Sequence, residues 1–308
     1  MVFPGQGSQS SGMQADLAAA HSLVEDSYAE ASEILGYDLW RVVAEGPIEQ
    51  LNATTVTQPA MLTAGYAAWR VWQASGGTDP AMMAGHSLGE YTALVCAGSL
   101  TFDEALRVVQ RRSELMQDAV PAGAGAMAAI LGLDDQAVIA VCAAAAGDGV
   151  ADAVNFNAPG QVVIAGDVAA VDRAIVLAKE RGARRALQLP VSVPAHSALM
   201  RAAGEALADA LARAPFRTPA ITVIAASDAR PYTSGDDIRA RLSRQVYAPV
   251  HWVATINAMT RAGATRIIEC GPGKVLAGLV RRIDKSVACD TIDSIDSLQQ
   301  ALVAEESA

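Results

Sequence analysis

No apolar run in this chain approaches the ~20 residues that a membrane-spanning helix needs. The longest, around Ala137 to Gly147, falls far short of that length, which excludes a transmembrane segment. The start, Val2-Phe3-Pro4-Gly5, lacks the basic and then apolar stretch of a secretion signal, so a cytoplasmic setting is expected. Cysteine is scarce: Cys96, Cys142, Cys270 and Cys289 include no close pair, which leaves neither a zinc site nor a redox dithiol with the required spacing. Reduced, mostly buried thiols and no metal are the expectation. Positive charge is also short, with 23 Lys and Arg against 33 Asp and Glu and a net charge of −10. That balance argues against general nucleic-acid binding, which draws its affinity from basic surface. Any anionic partner must meet a local basic patch.

What is present is a chain of 308 residues, 52% hydrophobic and 18% charged, long enough to bury a sizeable core. Apolar stretches of strand length alternate with longer helical patterns, with no internal repeat, and this predicts an α/β protein. Val2-Phe3 running into Pro4-Gly5-Gln6-Gly7 reads as the end of a strand and a turn; that strand is either short or begins in a longer natural chain. The segment from Pro80 to Ala97 reads as strand, sharp turn and helix (Leu88 to Ala97), stopped by Gly98. Thr101-Phe102-Asp103-Glu104 is a capping box opening a helix to about Val120. After a hinge at Pro121 to Gly125 come strand Met127 to Leu133, helix Asp135 to Ala146, strands Ala153 to Phe156 and Gln161 to Ala165, helix Ala169 to Arg181 and strand Arg185 to Leu189. The order βαββαβ predicts a ferredoxin-like small domain, residues 124–191, inserted in an α/β-hydrolase-like large domain made of residues 1–123 and 192–308. Ile267-Ile268-Glu269 and Cys270-Gly271-Pro272-Gly273 repeat the strand-to-turn grammar, and a last helix around Ile295, Leu298 and Leu302 packs on the main body.

Gly85-His86-Ser87-Leu88-Gly89 matches the nucleophile elbow, G-x-S-x-G, and lies between a predicted strand and a predicted helix. Two glycines allow the strained turn that thrusts a serine hydroxyl from the strand end; the bland alternative is a helix cap. A serine nucleophile needs a base, and the chain offers only His21, His86, His196 and His251. His21 reads as surface, His86 should point away from its neighbour Ser87, and His251 reads as a half-exposed packing residue at a helix start. His196, on a loop behind Pro194-Ala195, is favoured by position, which does not by itself decide among the four. In the helix from Asp103 to Val120, the positions Ala105, Val108, Val109, Leu115, Met116 and Ala119 form one apolar stripe, and Arg112 falls on it while Arg111 does not. A buried arginine requires a partner: either an internal carboxylate or a substrate carboxylate held by its planar fork.

Phe3-Pro4-Gly5-Gln6-Gly7-Ser8-Gln9, Gly85 to Glu90, Val193-Pro194-Ala195-His196 and Glu269 to Gly273 occur in that order and span essentially the whole chain. Together they resemble the malonyl-CoA:acyl carrier protein transacylases, the acyltransferase family of fatty acid and polyketide synthesis. The resemblance implies malonyl-CoA as substrate, acyl carrier protein as partner and no cofactor. It implies that Ser87 is acylated, that His196 is the base and that the amides of Gln6 and Leu88 form the oxyanion hole. It also implies that Arg112 binds the malonyl carboxylate, and that a main-chain carbonyl at Gln245, rather than a carboxylate, orients the histidine.

The chain departs from the family pattern at Ala225-Ala226-Ser227, where many relatives carry asparagines, and the small Ala195 before His196 does not exclude a branched acyl group. Gly271-Pro272-Gly273-Lys274 is no phosphate loop, because Val275 replaces the required Ser or Thr. Arg181, Arg184, Arg185, Lys274, Arg281 and Arg282 could meet coenzyme A phosphates or an acidic carrier, or simply form a solvated face. Two rivals share these motifs: a serine esterase or thioesterase, and a silent subunit that only docks carrier protein.

Overall fold

A computed structural model describes residues 1–191 and 193–306, so the expected domain junction at residue 192 lies outside the described residues, as do residues 307–308. The strands are β1 (Val2–Phe3), β2 (Met82–Gly85), β3 (Gly125–Leu131), β4 (Ala151–Ala158), β5 (Gln161–Asp167), β6 (Arg185–Gln188), β7 (Thr222–Ile224), β8 (Arg266–Cys270) and β9 (Ala288–Ile292). Five of them form a parallel sheet in the order β7-β2-β1-β8-β9. Parallel neighbours need crossovers, and the helices between the strands supply them, covering the sheet so that its central strands read as short uninterrupted apolar runs. Val2 and Phe3 are fully buried between Ala84 and Gly85 of β2 on one side and Glu269 of β8 on the other.

The carboxyl ends of β1, β2 and β8 therefore lie side by side. Each runs into one of the glycine-rich turns singled out in the sequence: Pro4 to Gly7, His86 to Gly89 and Gly271 to Gly273. The carboxyl edge of a parallel sheet is where such folds collect ligands, because loops and helix N-termini converge there. Glu269, at the end of β8, accepts from the N–H groups of Leu276 (3.1 Å) and Ala277 (2.7 Å), capping the helix Val275–Ile283 from across the turn.

The other four strands form an antiparallel sheet in the order β4-β5-β3-β6, the order a ferredoxin-like unit requires. The helices Asp135–Ala146 and Val168–Glu180 pack on it through a core that includes Ile130, Val141, Val162 and Val171. Observed ends differ from the predicted ones where pairing and backbone conformation overrule hydropathy. β3 spans Gly125–Leu131 rather than Met127 to Leu133, since Gly132, at φ +97°, turns the chain. β4 runs beyond the predicted Ala153 to Phe156 at both ends, because β5 offers a partner along the whole of Ala151–Ala158, with register shifts at Ala153/Asn155 and Phe156/Ala158. The elbow helix is Gly89–Cys96, and the capping-box helix is Phe102–Asp118, two residues shorter than predicted. The free edge of β4 is stitched to the main body by Phe156 N–H to Val250 O (2.9 Å) and Val250 N–H to Val154 O (2.8 Å).

Candidate active site

The turn after β2 carries Ser87 in the left-handed region, at φ +53°, a conformation costing roughly 1–2 kcal/mol for a side chain with a Cβ. Sterics hold it there. A Cβ on Gly85 would lie 1.9 Å from the carbonyl carbon of Gly89, so strand and helix meet only because position 85 has no side chain. The adjoining turn approaches as closely: a Cβ on Gly5 would stand 2.4 Å from His86 O. This brings Gln6 beside Leu88, and among the described residues neither backbone N–H donates to a protein acceptor. Both residues line the same pocket as Ser87, about 370 Å³ in volume, walled on its other side by Met127, Asn155 and Leu189 of the antiparallel unit.

Ser87 Oγ lies 2.7 Å from Nε2 of His196. The other ring nitrogen, Nδ1, faces two carbonyls, Gln245 O at 2.8 Å and Ala248 O at 3.1 Å. Carbonyls only accept, so the proton sits on Nδ1, and Nε2 is left as the acceptor of the serine proton. Gln245 is the last residue of the helix Gly235–Gln245, where carbonyls have no intrahelical partner and the helix dipole presents its negative end. His196 is buried at φ +66°, its own N–H donating to Val246 O at 3.0 Å. Burial first, and the Arg112 charge second, push its pKa down to about 3, against an upward pull from the Gln245 and Ala248 carbonyls. The imidazole is neutral at physiological pH and ready to accept.

Arg112 comes from the buried face of the capping-box helix and is 1% exposed, whereas Arg111 stands at the surface paired with Glu114. Its Nη1 donates to Gln58 Oε1 at 2.6 Å; its Nη2 donates to Gln245 Oε1 at 3.0 Å and to Ser87 Oγ at 3.3 Å. The Tyr91 ring packs 5.6 Å from the guanidinium carbon. All of these partners are neutral. Among the described residues no carboxylate forms an ion pair with Arg112, and its Nε–H, though buried, has no acceptor. Burial lowers its pKa, offset by Tyr91 and Glu90, yet a guanidinium stays charged. A buried cation 3.3 Å from the candidate nucleophile, with no carboxylate in direct contact among the described residues, offers a receptor for an anionic group on an acyl chain.

Ser87, His196, Arg112 and Gln245 thus form one cluster, with Gln6 and Leu88 on its wall. The other histidines lie apart from the serine hydroxyl. His86 is half-buried against Trp252, its Nε2 2.8 Å from Asn157 Oδ1 of β4; His251 stacks on Phe156; His21 is half-buried before the helix Ser22–Leu35. Sequence reasoning assigned no part to Gln58, Glu90, Tyr232 or the Ala248 carbonyl. Glu90 did leave a signal, the single charged residue of the helix Gly89–Cys96, whereas Gln58, which follows Thr54, Thr55 and Thr57, and Tyr232 left none. The Ala226 departure is filled by main chain, whose N–H donates to Glu90 Oε2 at 3.5 Å. Of the basic residues flagged in the sequence, Lys274 pairs with Asp293 at 3.6 Å, Arg281 donates to Cys289 O and Arg282 to Gln161.

The family model for the acyl transferase domain matches residues 1–303. The chain is 52% identical over 301 residues to the malonyl CoA-acyl carrier protein transacylase of Escherichia coli strain K12, covering 98% of this chain and 97% of that protein. A crystal structure of an acyl carrier protein S-malonyltransferase from Vibrio cholerae superposes with a TM-score of 0.94 at 53% identity, over 97% of this chain and 98% of the other. A type II PKS acyl-carrier protein in complex with its malonyl-transacylase gives a TM-score of 0.97 at 50% identity, over 99% and 98% of the two chains.

Proposed function

The chain belongs to the acyl transferase domain family, and from that premise we propose that it moves a malonyl group from malonyl-CoA to the phosphopantetheine thiol of an acyl carrier protein, supplying fatty acid or polyketide synthesis. The observation that carries the reading is Arg112, a buried cation with only neutral partners beside the candidate nucleophile. A neutral acyl group would leave it unpaired; a malonyl carboxylate accepts from it.

In the first half-reaction the Ser87 proton passes to His196 Nε2 as Oγ attacks the thioester carbonyl carbon. The free amides of Gln6 and Leu88 receive the oxyanion, assisted by the N-terminus of the helix Gly89–Cys96. Collapse expels the coenzyme A thiolate, which takes the proton from His196, and a malonyl ester remains on Ser87. In the second half-reaction the carrier's thiol gives its proton to His196, attacks the ester, and Ser87 leaves with that proton. No cofactor enters either step. The malonyl carboxylate also offsets the Arg112 charge, the second cause of the low His196 pKa, so the bound substrate raises the basicity of its own catalyst. The imidazolium so formed faces the Gln245 and Ala248 carbonyls at a helix C-terminus in place of a triad carboxylate.

Two further proposals accompany this one. Residues 124–191 form a domain separate from 1–123 and 192–308, supported by a hydrophobic cluster confined to Ala126 through Ala186. The enzyme works in the cytoplasm, supported by four free cysteines, and among the described residues no helix is long and apolar enough to cross a membrane.

The test of the reaction is intact-mass analysis after addition of malonyl-CoA: a malonyl adduct on the Ser87 peptide, passed to carrier protein when that is supplied. Rapid loss of the adduct to water would assign a hydrolase instead, and absence of any adduct would leave only a docking role.

A further inference from the structure

Arg112 holds no anion of its own, so its aim into the pocket depends on neutral amides. An amide can turn end for end, and the turned form would put an NH2 group against the guanidinium donors. For Gln245 that turn is opposed from behind. Its Nε2 donates to two acceptors, Ser87 O at 2.9 Å and Glu90 Oε2 at 2.8 Å, which leaves Oε1 for Arg112 Nη2 at 3.0 Å. The Ser87 carbonyl only accepts, and Glu90 Oε2 already takes the Ala226 N–H, so the NH2 end must face this pair; burial raises the Glu90 pKa, against the hydrogen bonds that Tyr232, Gln245 and Ala226 donate to it. Glu90 is itself fixed: it is fully buried in the helix Gly89–Cys96, Tyr232 donates to its Oε1 and the Ala226 N–H to its Oε2.

We propose that Glu90 is a positioning residue: anchored by Tyr232, it dictates the sense of the Gln245 amide and so holds the Arg112 fork in place for the substrate's acyl carboxylate. This rests on the proposed assignment of Arg112 to the malonyl group. The amide between them matters as a spacer. A carboxylate in direct contact with Arg112 would form an internal ion pair and compete with the substrate, whereas an amide transmits orientation without neutralising the charge. The Gln245 main-chain carbonyl, which orients His196, is independent of its side chain. Loss of the Glu90 acceptor should therefore fall on binding of the charged acyl group rather than on the base.

The test compares Glu90→Met, similar in length but offering only a weak thioether acceptor in place of the carboxylate, with Glu90→Gln. The glutamine can turn its oxygen to Gln245 and its NH2 to the Tyr232 oxygen. Both are assayed for kcat/KM with malonyl-CoA and with acetyl-CoA, which carries no acyl carboxylate. The methionine variant is expected to lose about tenfold to a hundredfold with malonyl-CoA and to stay within about threefold with acetyl-CoA, the loss of one charge-assisted bond. The glutamine variant should recover malonyl transfer to within about threefold of the parent. Equal losses with both substrates, or undiminished malonyl transfer in the methionine variant, would overturn the proposal. Should the methionine variant not fold, Tyr232→Phe keeps the carboxylate and removes only its anchor. A malonyl-selective loss of about threefold to tenfold is then expected, and a parallel fall or no fall would overturn the proposal. Failure of the unmodified chain to form the Ser87 adduct would instead bring down the reaction assignment itself, and with it this role.

Discussion

The hydroxyl of Ser87 lies between two groups that act on it in opposite senses. In the proposed reaction His196 accepts its proton, while Arg112 donates toward the oxygen from 3.3 Å and, by its charge, weakens the proposed base. Arg112→Gln separates the two effects. Malonyl transfer should fall by roughly a hundredfold or more, the cost of leaving a carboxylate without its buried partner. The same change removes a charge that lowers the His196 pKa, so the acid limb of kcat/KM for acetyl-CoA should move to higher pH. A pH–rate series on parent and variant checks both, and an unmoved limb would deny that Arg112 acts on the base. Arg112 was legible in the sequence because helical periodicity placed it on a buried face with Val108, Val109 and Met116. Its partners were not, since Gln58 and Gln245 lie 54 and 133 residues away along the chain and no local pattern links them.

Among the elements, the elbow tolerates little change. Gly85→Ala would place a methyl group against the backbone of Gly89, and backbone on both sides cannot yield as a flexible side chain can. Stability should drop by about 3 kcal/mol and Ser87 malonylation should be lost, read by chemical denaturation and intact mass. A stable, fully acylated Gly85→Ala chain would show that the turn is not sterically determined. Strand, turn and helix at the elbow, and the capping box at Thr101 and Glu104, were legible because each is specified by residues within one or two turns of one another. The ends of β3 and β4 were not, because they depend on where β5 and Gly132 stand. That the helix Gly235–Gln245 should end with its carbonyls on His196 is a matter of packing, for nothing near residue 245 refers to residue 196.

At the scale of the whole molecule, the two sheets share one pocket and are linked by the β4 edge and by His86 Nε2 to Asn157 Oδ1 at 2.8 Å. Asn157→Ala would remove this partner from a half-buried imidazole next to the candidate nucleophile. The expected cost is about 0.5–1.5 kcal/mol in urea denaturation, and an unchanged stability would mean the link contributes nothing. Acid sensitivity is a second global property. His196 has a folded pKa of about 3 against an unfolded value of roughly 6.5. Between those limits the unfolded chain takes up a proton that the folded chain refuses. Stability from this group is therefore complete above about pH 6.5 and lost progressively as pH falls toward 3, at about 1.4 kcal/mol per pH unit. His196→Gln should flatten the pH dependence of unfolding over that interval, and identical slopes would show that His196 is not held neutral by burial.

The sequence by itself determined whatever is encoded locally: the alternation of strands and helices, the βαββαβ order of the inserted segment, the serine in its glycine-bounded turn and the arginine on an apolar face. Tertiary structure decided what depends on distance through space. It set three strand ends side by side, brought one histidine of four against the Ser87 hydroxyl, gave that histidine carbonyl rather than carboxylate neighbours, and put Glu90 and the Gln245 amide behind Arg112. The physical reason is range. Steric and hydrogen-bonding preferences of the backbone act over a few residues, whereas desolvation, charge and close approach act between whatever groups the packed core brings together.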